Sequence, residues 1–312
     1  MNMHTALFFP GYGTQRVGMV KDFYNESRAV QELFETASHC LDINFVKLCF
    51  ASSDAQLARV QNAFPALFLM HASAACYLRE QGINYDVVAG CGVGAYSAAY
   101  AAGSLALADG LYLLSKLVKF YRETIDTDVW GKVRIDGLSS SQLKSCPVVA
   151  SGDARVVITL SSTSHILICK LTAYMSLRQT SLSYNNKAIL TDLGVESGQH
   201  DSLLQDASSS FVQYFNKVDF RAPNKKYVSE LTGRALKTAT AVRAAIINQV
   251  THPLRWDSIV RKVEQADRLL VVGSLPSYIQ ERAQTYSITT SRDVYALRPA
   301  SAATVDTQQQ IF

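Results

Sequence analysis

The N-terminal part of the chain alternates between short apolar segments and longer amphipathic ones. The segment TALFFPGYGTQ contains the apolar run ALFF followed by a Pro-Gly-x-Gly turn, a pattern typical of a buried strand. Helices are predicted over GMVKDFYNESRAVQELFETASHCL and over PALFLMHASAACYLREQG, because their apolar residues recur every three or four positions. We expect the second helix to begin at Pro65 and to end at Gly82. Strands alternating with helices favour a parallel sheet with crossover helices.

A second apolar run, NYDVVAG, leads into GCGVGAY at residues 90 to 96 and then into a helical pattern. We expect one helix from about Gly94 to Glu123. A strand, a glycine-rich turn and a helix form the elbow that displays a nucleophilic serine in G-x-S-x-G sequences. The middle position here is Gly92, which has no side chain. Gly90 and Gly94 have a structural explanation, since tight turning and close helix approach require glycine.

The pattern changes from about Trp130 to Asp192. Four strand-like segments, GKVRIDG, RVVITLS, HILICKL and KAILTDL, alternate with two helical ones, SSSQLKSC and TAYMSLRQTSLSY. This order predicts a small strand-helix-strand-strand-helix-strand unit inserted into the larger domain. Helical patterns return after His200, DRLLVVGS is predicted as a last buried strand, and the polar end RPASAATVDTQQQIF is expected to be a loose tail.

The composition fits a chain with a large buried core: 312 residues, 48% hydrophobic and 18% charged. The net charge of +4 is mild, and the basic runs lack interleaved aromatic residues, so nucleic acid is not an expected partner. No run reaches transmembrane length and the N-terminus lacks the features of a signal peptide, so we expect a cytoplasmic protein without membrane contact. The six cysteines show neither a C-x-x-C pair nor a metal-like spacing, so a reducing compartment, no metal and no cofactor are expected.

Several blocks of the chain resemble malonyl-CoA:acyl-carrier-protein transacylases, the acyltransferases of fatty-acid and polyketide synthesis. In chain order the matching blocks are FFPGYGTQRVGM, FPALFLMHAS, GCGVGAYSAAYAAGSLALADGLYLL, GQHDSLL and INQVTHPLRW. The resemblance implies an α/β fold class: an α/β-hydrolase-like large subdomain with a parallel sheet, plus an inserted ferredoxin-like small subdomain. The large subdomain would comprise residues 1–127 and 197–297, the small one residues 128–196, and the tail residues 298–312.

The resemblance also implies a chemistry, which is ping-pong acyl transfer through an acyl-serine with a histidine as base. The serine position is occupied by Gly92, which offers no nucleophile. The position of the arginine that clamps the malonyl carboxylate is occupied by Leu117, which cannot pair with a carboxylate. Tyr12 and Ser161 replace a glutamine and an asparagine of the family's substrate site. These replacements indicate a more apolar cleft from which the family mechanism has been lost.

Two functional positions of the family site are retained, together with one backbone donor. His200 matches the base, Gln249 matches the residue that orients it, and the backbone N–H of Val93 would form half of an oxyanion hole. A lone histidine in a polar loop is also commonly solvated or structural, and Gln249 could simply bond to loop backbone. Cys91 precedes the elbow apex and is a weak alternative nucleophile; the other explanation is a core or cleft-lining thiol.

Two functions therefore remain open from the sequence. The first is a non-catalytic homologue that binds an acyl carrier protein or another synthase component, with acyl-CoA as a further ligand. Carrier proteins are acidic and could meet the basic residues Arg122, Lys217, Lys225, Lys226 and Arg255, although an ordinary solvated surface explains these equally. The second is a remaining transacylase or thioesterase that uses Cys91, or water activated by His200.

Overall fold

The computed structural model describes residues 4–124, 129–194, 201, 204–274 and 285–297. Within these residues the strands are β1 Thr5–Phe9, β2 Val87–Gly90, β3 Trp130–Asp136, β4 Ala154–Thr159, β5 Ser164–Lys170, β6 Ile189–Gly194, β7 Lys226–Val228, β8 Ala235–Leu236, β9 Leu254–Arg255, β10 Arg268–Val272 and β11 Thr285–Ile288. The α-helices are α1 Lys21–Glu26, α2 Arg28–Leu41, α3 Phe45–Phe50, α4 Asp54–Ala58, α5 Val60–Glu80, α6 Val93–Ala101, α7 Leu107–Thr124, α8 Ser140–Ser145, α9 Pro147–Ala150, α10 Tyr174–Tyr184, α11 Ser208–Val212, α12 Ala239–Asn248, α13 Trp256–Val263 and α14 Ser291–Tyr295.

The larger sheet is parallel except at one edge. Among the described residues its strand order is β11-β10-β1-β2-β7-β8, and only the β7–β8 pair is antiparallel. Strand β1 is central and fully buried. Alternate residues of a strand point to opposite faces, so Leu7 and Phe9 join one apolar cluster and Ala6 and Phe8 another. Burial on both faces is the reason why the residues after Thr5 in this strand, ALFF, are all apolar.

The smaller sheet confirms the inserted strand-helix-strand-strand-helix-strand unit. Within the described part of the chain its order is β6-β3-β5-β4-β9, and the first three pairings are antiparallel. The four strands of the unit thus lie in the order fourth, first, third, second, which is the ferredoxin-like arrangement. Helices α8 and α10 cover one face through a core that includes Val133, Ile135, Leu143 and Leu177. The fold is therefore α/β with a parallel-sheet subdomain and a ferredoxin-like insertion.

Three helix predictions were wrong in their boundaries. The helix predicted over GMVKDFYNESRAVQELFETASHCL is divided at Ser27 into α1 and α2. The single helix expected from Gly94 to Glu123 is divided into α6 and α7. Gly103 lies between them with a φ of 70°, a conformation that glycine adopts without the steric cost of a Cβ. Pro65 does not begin α5 but lies inside it. Pro65 is the sixth residue of the helix, so it removes the hydrogen bond to the carbonyl of Gln61, and the burial of the residues around it offsets that loss.

The predicted subdomain junctions at 127/128 and 196/197 and the predicted tail at 298–312 fall outside the described residues. These boundaries stay predictions. His200 also lies outside the described residues. No helix in the described part of the chain is both long and apolar enough to span a membrane.

Candidate functional site

A cleft of about 380 Å³ lies between the two sheets, at the carboxyl ends of β1 and β2. Ligand sites of open α/β sheets lie at these strand ends. The large subdomain contributes residues 11–14, Phe64, residues 91–93, Leu117, Tyr121, Gln249 and Trp256. The small subdomain contributes Lys132, Ile158, Leu160, Ile166 and Leu193. The cleft therefore brings together six of the predicted substrate-site and elbow residues: Tyr12, Cys91, Gly92, Val93, Leu117 and Gln249.

The elbow, residues 90–94, keeps the backbone shape that presents a nucleophile. Gly92 has φ 57° and ψ −117°, a region that residues with a Cβ occupy only under strain, and α6 begins directly after it. A Cβ on Gly90 would collide with the carbonyl of Gly94, and a Cβ on Gly94 would collide with the carbonyl of Phe9. Gly90 and Gly94 are thus required by the packing of α6 against β1 and β2. The elbow is intact, and its apex holds no side chain.

Glu230, which sequence reasoning missed, supports this elbow from the side. It follows β7, the neighbour of β2 in the sheet, and its Oε2 accepts a hydrogen bond from the Gly92 N–H at 2.8 Å. Only 1% of Glu230 is exposed, and its Oε1 has no hydrogen-bond partner among the described residues. Burial raises the pKa of Glu230 to about 8, while the bond from Gly92 acts in the opposite direction. At neutral pH the side chain is therefore mainly an uncharged carboxylic acid.

Cys91 is buried, with 3% of its surface exposed, in the apolar cluster that contains Phe8 and Trp256. Burial raises the pKa of its thiol well above the ordinary value, and Glu230 adds to this effect. Because the thiolate is the reactive form, a thiol held neutral is a poor nucleophile. The geometry favours the explanation of Cys91 as a cleft-lining thiol.

One wall of the cleft is aromatic and aliphatic. Tyr12 packs edge-on against Phe64 with ring centroids 5.8 Å apart, and Phe64 packs edge-on against Tyr121 at 6.4 Å. The Tyr12 hydroxyl donates to the carbonyl of Ala58 at 2.6 Å, so its polar tip is already satisfied. Leu117 lies beside them and is 3% exposed. This wall offers apolar contact rather than a partner for a carboxylate.

Of the remaining predicted site residues, Gln249 lines the cleft and is buried. Asp201 follows His200 in the chain, and its N–H donates to the carbonyl of Val250 at 3.2 Å. Ser161 lies in the exposed turn between β4 and β5 and is not among the described residues that line the cleft. No cluster of histidine, cysteine, aspartate or glutamate suited to a metal ion occurs among the described residues.

Lys132 on β3 is the second site residue that sequence reasoning missed. Val133 and Ile135, which share one face of β3, pack into the helix-covered core of the small sheet. Because residues of a strand alternate between faces, the side chain of Lys132 lies on the other face of the sheet, where it lines the cleft. The polar position inside the alternating segment GKVRIDG was the available signal. Burial lowers the pKa of Lys132 to about 7, and Cys91 acts in the opposite direction.

Comparisons with known proteins agree with this geometry. The model of the family described as acyl transferase domain matches residues 7–164. A malonyl CoA-acyl carrier protein transacylase of Bacillus subtilis (strain 168) is 25% identical over 260 residues, which cover 83% of this chain and 82% of the relative.

Solved structures show the same fold. An acyl carrier protein S-malonyltransferase from Vibrio cholerae superposes with a TM-score of 0.87 at 20% identity, covering 94% of this chain and 99% of the other. A malonyl-transacylase solved in complex with a type II PKS acyl-carrier protein superposes with a TM-score of 0.84 at 21% identity, covering 94% and 98%.

Proposed function

Because the chain belongs to the acyl transferase domain family, we propose that it is a non-catalytic member that binds a thioester-linked acyl group in the cleft. The acyl group would be presented by an acyl carrier protein. The observation behind this proposal is the elbow apex, where Gly92 keeps the backbone conformation of a nucleophile elbow without a nucleophilic side chain.

The absence of an apex side chain bears directly on turnover. Acyl transfer through a covalent intermediate needs a nucleophile next to a base. Removing one member of such a constellation lowers the rate by about 10⁴-fold. Cys91 does not replace the missing group, because its thiol is buried and its pKa is raised well above the ordinary value. In addition, Leu117 occupies the position of the arginine that would bind a malonyl carboxylate, and leucine has no charge to pair with it.

The cleft itself remains suitable for binding. Its volume of about 380 Å³ lies within the range of ligand pockets. The wall formed by Tyr12, Phe64, Leu117 and Tyr121 suits an aliphatic acyl chain. One structural neighbour is described as a malonyl-transacylase in complex with its acyl-carrier protein, which supports a carrier protein as the partner here. Arg122 and Lys119 line a neighbouring groove of α7 and would meet an acidic partner.

The test compares binding with transfer. Octanoyl-loaded and unloaded acyl carrier protein are titrated against the chain by fluorescence anisotropy, and malonyl transfer from malonyl-CoA to the carrier is measured separately. We expect tighter binding of the loaded carrier and no transfer. Leu117→Trp, which fills the cleft, should remove the preference for the loaded carrier. Val46→Trp adds the same indole at an exposed position and should preserve it.

Two results would overturn the proposal. One is equal affinity for loaded and unloaded carrier, since the cleft would then hold no acyl group. The other is repeated turnover onto the carrier or onto water. If that turnover disappears in Cys91→Ala or His200→Ala, the chain is instead a transacylase or thioesterase with a non-standard mechanism.

A further inference from the structure

Lys132 faces the elbow from the opposite wall of the cleft. It lies on β3 of the small subdomain, whereas Cys91 and Gly92 belong to the large one, and all three line the same cavity. Cys91 is close enough to affect the pKa of Lys132. Among the described lining residues, Lys132 is the one with an amine side chain. Lys132 therefore shares the cavity with Gly92, the position from which the family's nucleophile is missing.

The environment of this amine favours its neutral form. Lys132 is 6% exposed, and burial lowers its pKa to about 7. Since an ordinary lysine has a pKa of about 10.4, the neutral fraction at pH 7 is roughly 10³-fold larger for Lys132. A neutral, desolvated lysine amine is a nucleophile, as in enzymes that attack carbonyl carbons through lysine. Among the described residues on the facing elements, Cys91, Tyr121 and, behind the elbow, Glu230 are titratable, and burial holds all three mainly uncharged at this pH.

The elbow still offers a donor for a carbonyl oxygen. The N–H groups of Gly92, Gly94 and Ala95 are engaged, by Glu230 Oε2 at 2.8 Å, Cys91 O at 2.9 Å and Gly92 O at 3.0 Å. Val93 lines the cleft at the first position of α6, and its N–H makes no hydrogen bond within the described residues. First-turn N–H groups of a helix stabilise developing negative charge on an oxygen. A bound thioester carbonyl would thus be polarised on one side and open to the amine on the other.

We propose that Lys132 is an acyl acceptor: its ε-amine takes the acyl group from a thioester held in the cleft. The nitrogen forms a bond to the carbonyl carbon, the carbon–sulfur bond breaks, and the thiol leaves with the proton that the amine gives up. The product is an amide on Lys132. Amides resist the reverse attack by a thiol, so the reaction stops after one acyl group per chain and gives no transfer to a carrier. This inference rests on the proposed function, because it needs an acyl thioester in the cleft.

The experiment uses intact-mass spectrometry and peptide mapping after incubation with octanoyl-CoA at pH 7. We expect one octanoyl increment, located on Lys132. Lys132→Met and Lys132→Arg should both lack it, because neither side chain supplies a neutral amine. Lys170→Met removes a half-exposed lysine of the same sheet, which pairs with Asp153, and should keep the increment at an unchanged rate. An increment that persists in Lys132→Met, or that maps to surface lysines, would overturn the inference, as would its complete absence.

Failure of this inference and failure of the proposed function give different results. If the intact chain prefers octanoyl-loaded carrier but is never acylated, the cleft binds thioesters and Lys132 is not an acceptor. If the chain shows neither preference nor acylation, the cleft does not bind the acyl group and both proposals are wrong. Binding of loaded carrier by Lys132→Met shows that the variant folds and keeps its cleft.

Discussion

The backbone N–H of Gly92 donates to Oε2 of Glu230 at 2.8 Å, although 138 positions separate the two residues in the chain. The bond joins the elbow after β2 to the segment after β7, the neighbouring strand of the sheet. It fixes the backbone at the apex of the elbow, where Gly92 has no side chain. The acceptor is a buried carboxyl group whose second oxygen, Oε1, has no hydrogen-bond partner among the described residues. This pair makes stability depend on pH in a defined direction.

We expect the free energy of unfolding to fall between pH 5 and pH 8 because of Glu230. Its pKa is about 8 in the folded chain, against 4.5 for an ordinary glutamate. Between these values the unfolded chain releases the proton while the folded chain keeps it, so a rising pH favours unfolding. The loss is roughly 1.4 kcal/mol per pH unit. Glu230→Gln keeps an acceptor for Gly92 and cannot ionise, so its stability relative to wild type should grow with pH.

Urea unfolding at pH 5, 6, 7 and 8 measures this difference. Glu123→Gln changes an exposed glutamate near the end of α7 and provides the matched control. Its free energy of unfolding should change with pH in the same way as that of wild type. A constant difference between Glu230→Gln and wild type over this range would show that Glu230 is ionised in the folded chain.

The parts of this structure that sequence predicted are those with local signals. The glycine-rich sequence predicted the tight turn at Gly90 and Gly94. The spacing of apolar residues predicted the helices and strands of the small subdomain. Glu230 lacked such a signal, and the polar position of Lys132 in GKVRIDG did not show which residues it faces, since each acquires its role from a residue distant in the chain. Apolar periodicity reports which face of an element is buried and not which residue lies opposite. The break at Gly103 was missed because the apolar pattern continues across it.

Lys132 should produce the opposite pH dependence to Glu230. Its pKa is about 7 in the folded chain against 10.5 for an ordinary lysine, so above pH 7 the unfolded chain binds the proton that the folded chain has released. Stability from this residue therefore rises from pH 7 upward, by roughly 1.4 kcal/mol per pH unit. The free energy of unfolding of Lys132→Met should exceed that of wild type most at pH 6, and this difference should be smaller at pH 9.

Thermal or urea unfolding of both proteins at pH 6, 7, 8 and 9 provides the measurement. Lys170→Met again serves as the control, because the lysine it removes is half-exposed and bridged to Asp153 at 2.8 Å. If the advantage of Lys132→Met were the same at pH 6 and pH 9, the amine would be charged in the folded cleft. The acyl-acceptor inference would then lose its chemical basis.

The three elbow glycines should differ in how much stability is lost when each is replaced by alanine. Gly92→Ala places a Cβ on a residue with φ 57°, and such strained conformations cost about 1–3 kcal/mol. Gly90→Ala and Gly94→Ala instead push a Cβ into backbone carbonyls, of Gly94 and Phe9 respectively, that cannot move without displacing α6. We expect Gly92→Ala to fold with reduced stability. The other two should lose more stability or fail to fold.

Urea midpoints and soluble yield of the three variants decide this point. Gly152→Ala is a useful comparison, because it also has a positive φ but a Cβ there meets only the Arg155 side chain at van der Waals distance. It should resemble Gly92→Ala. Equal stability of Gly90→Ala and wild type would contradict the close packing of α6 on β2.

Cys91 should react slowly with alkylating agents. It is 3% exposed, and burial raises its pKa well above the ordinary value, so little thiolate forms at pH 7.5. Cys40 is exposed and provides an internal reference in the same chain. We expect iodoacetamide to label Cys40 at least about 10²-fold faster than Cys91, because reactivity follows the thiolate fraction and access. Peptide mapping after timed labelling gives both rates from one sample. Comparable rates would restore Cys91 as a candidate nucleophile, and the acyl-CoA incubation would then have to be repeated with Cys91→Ala.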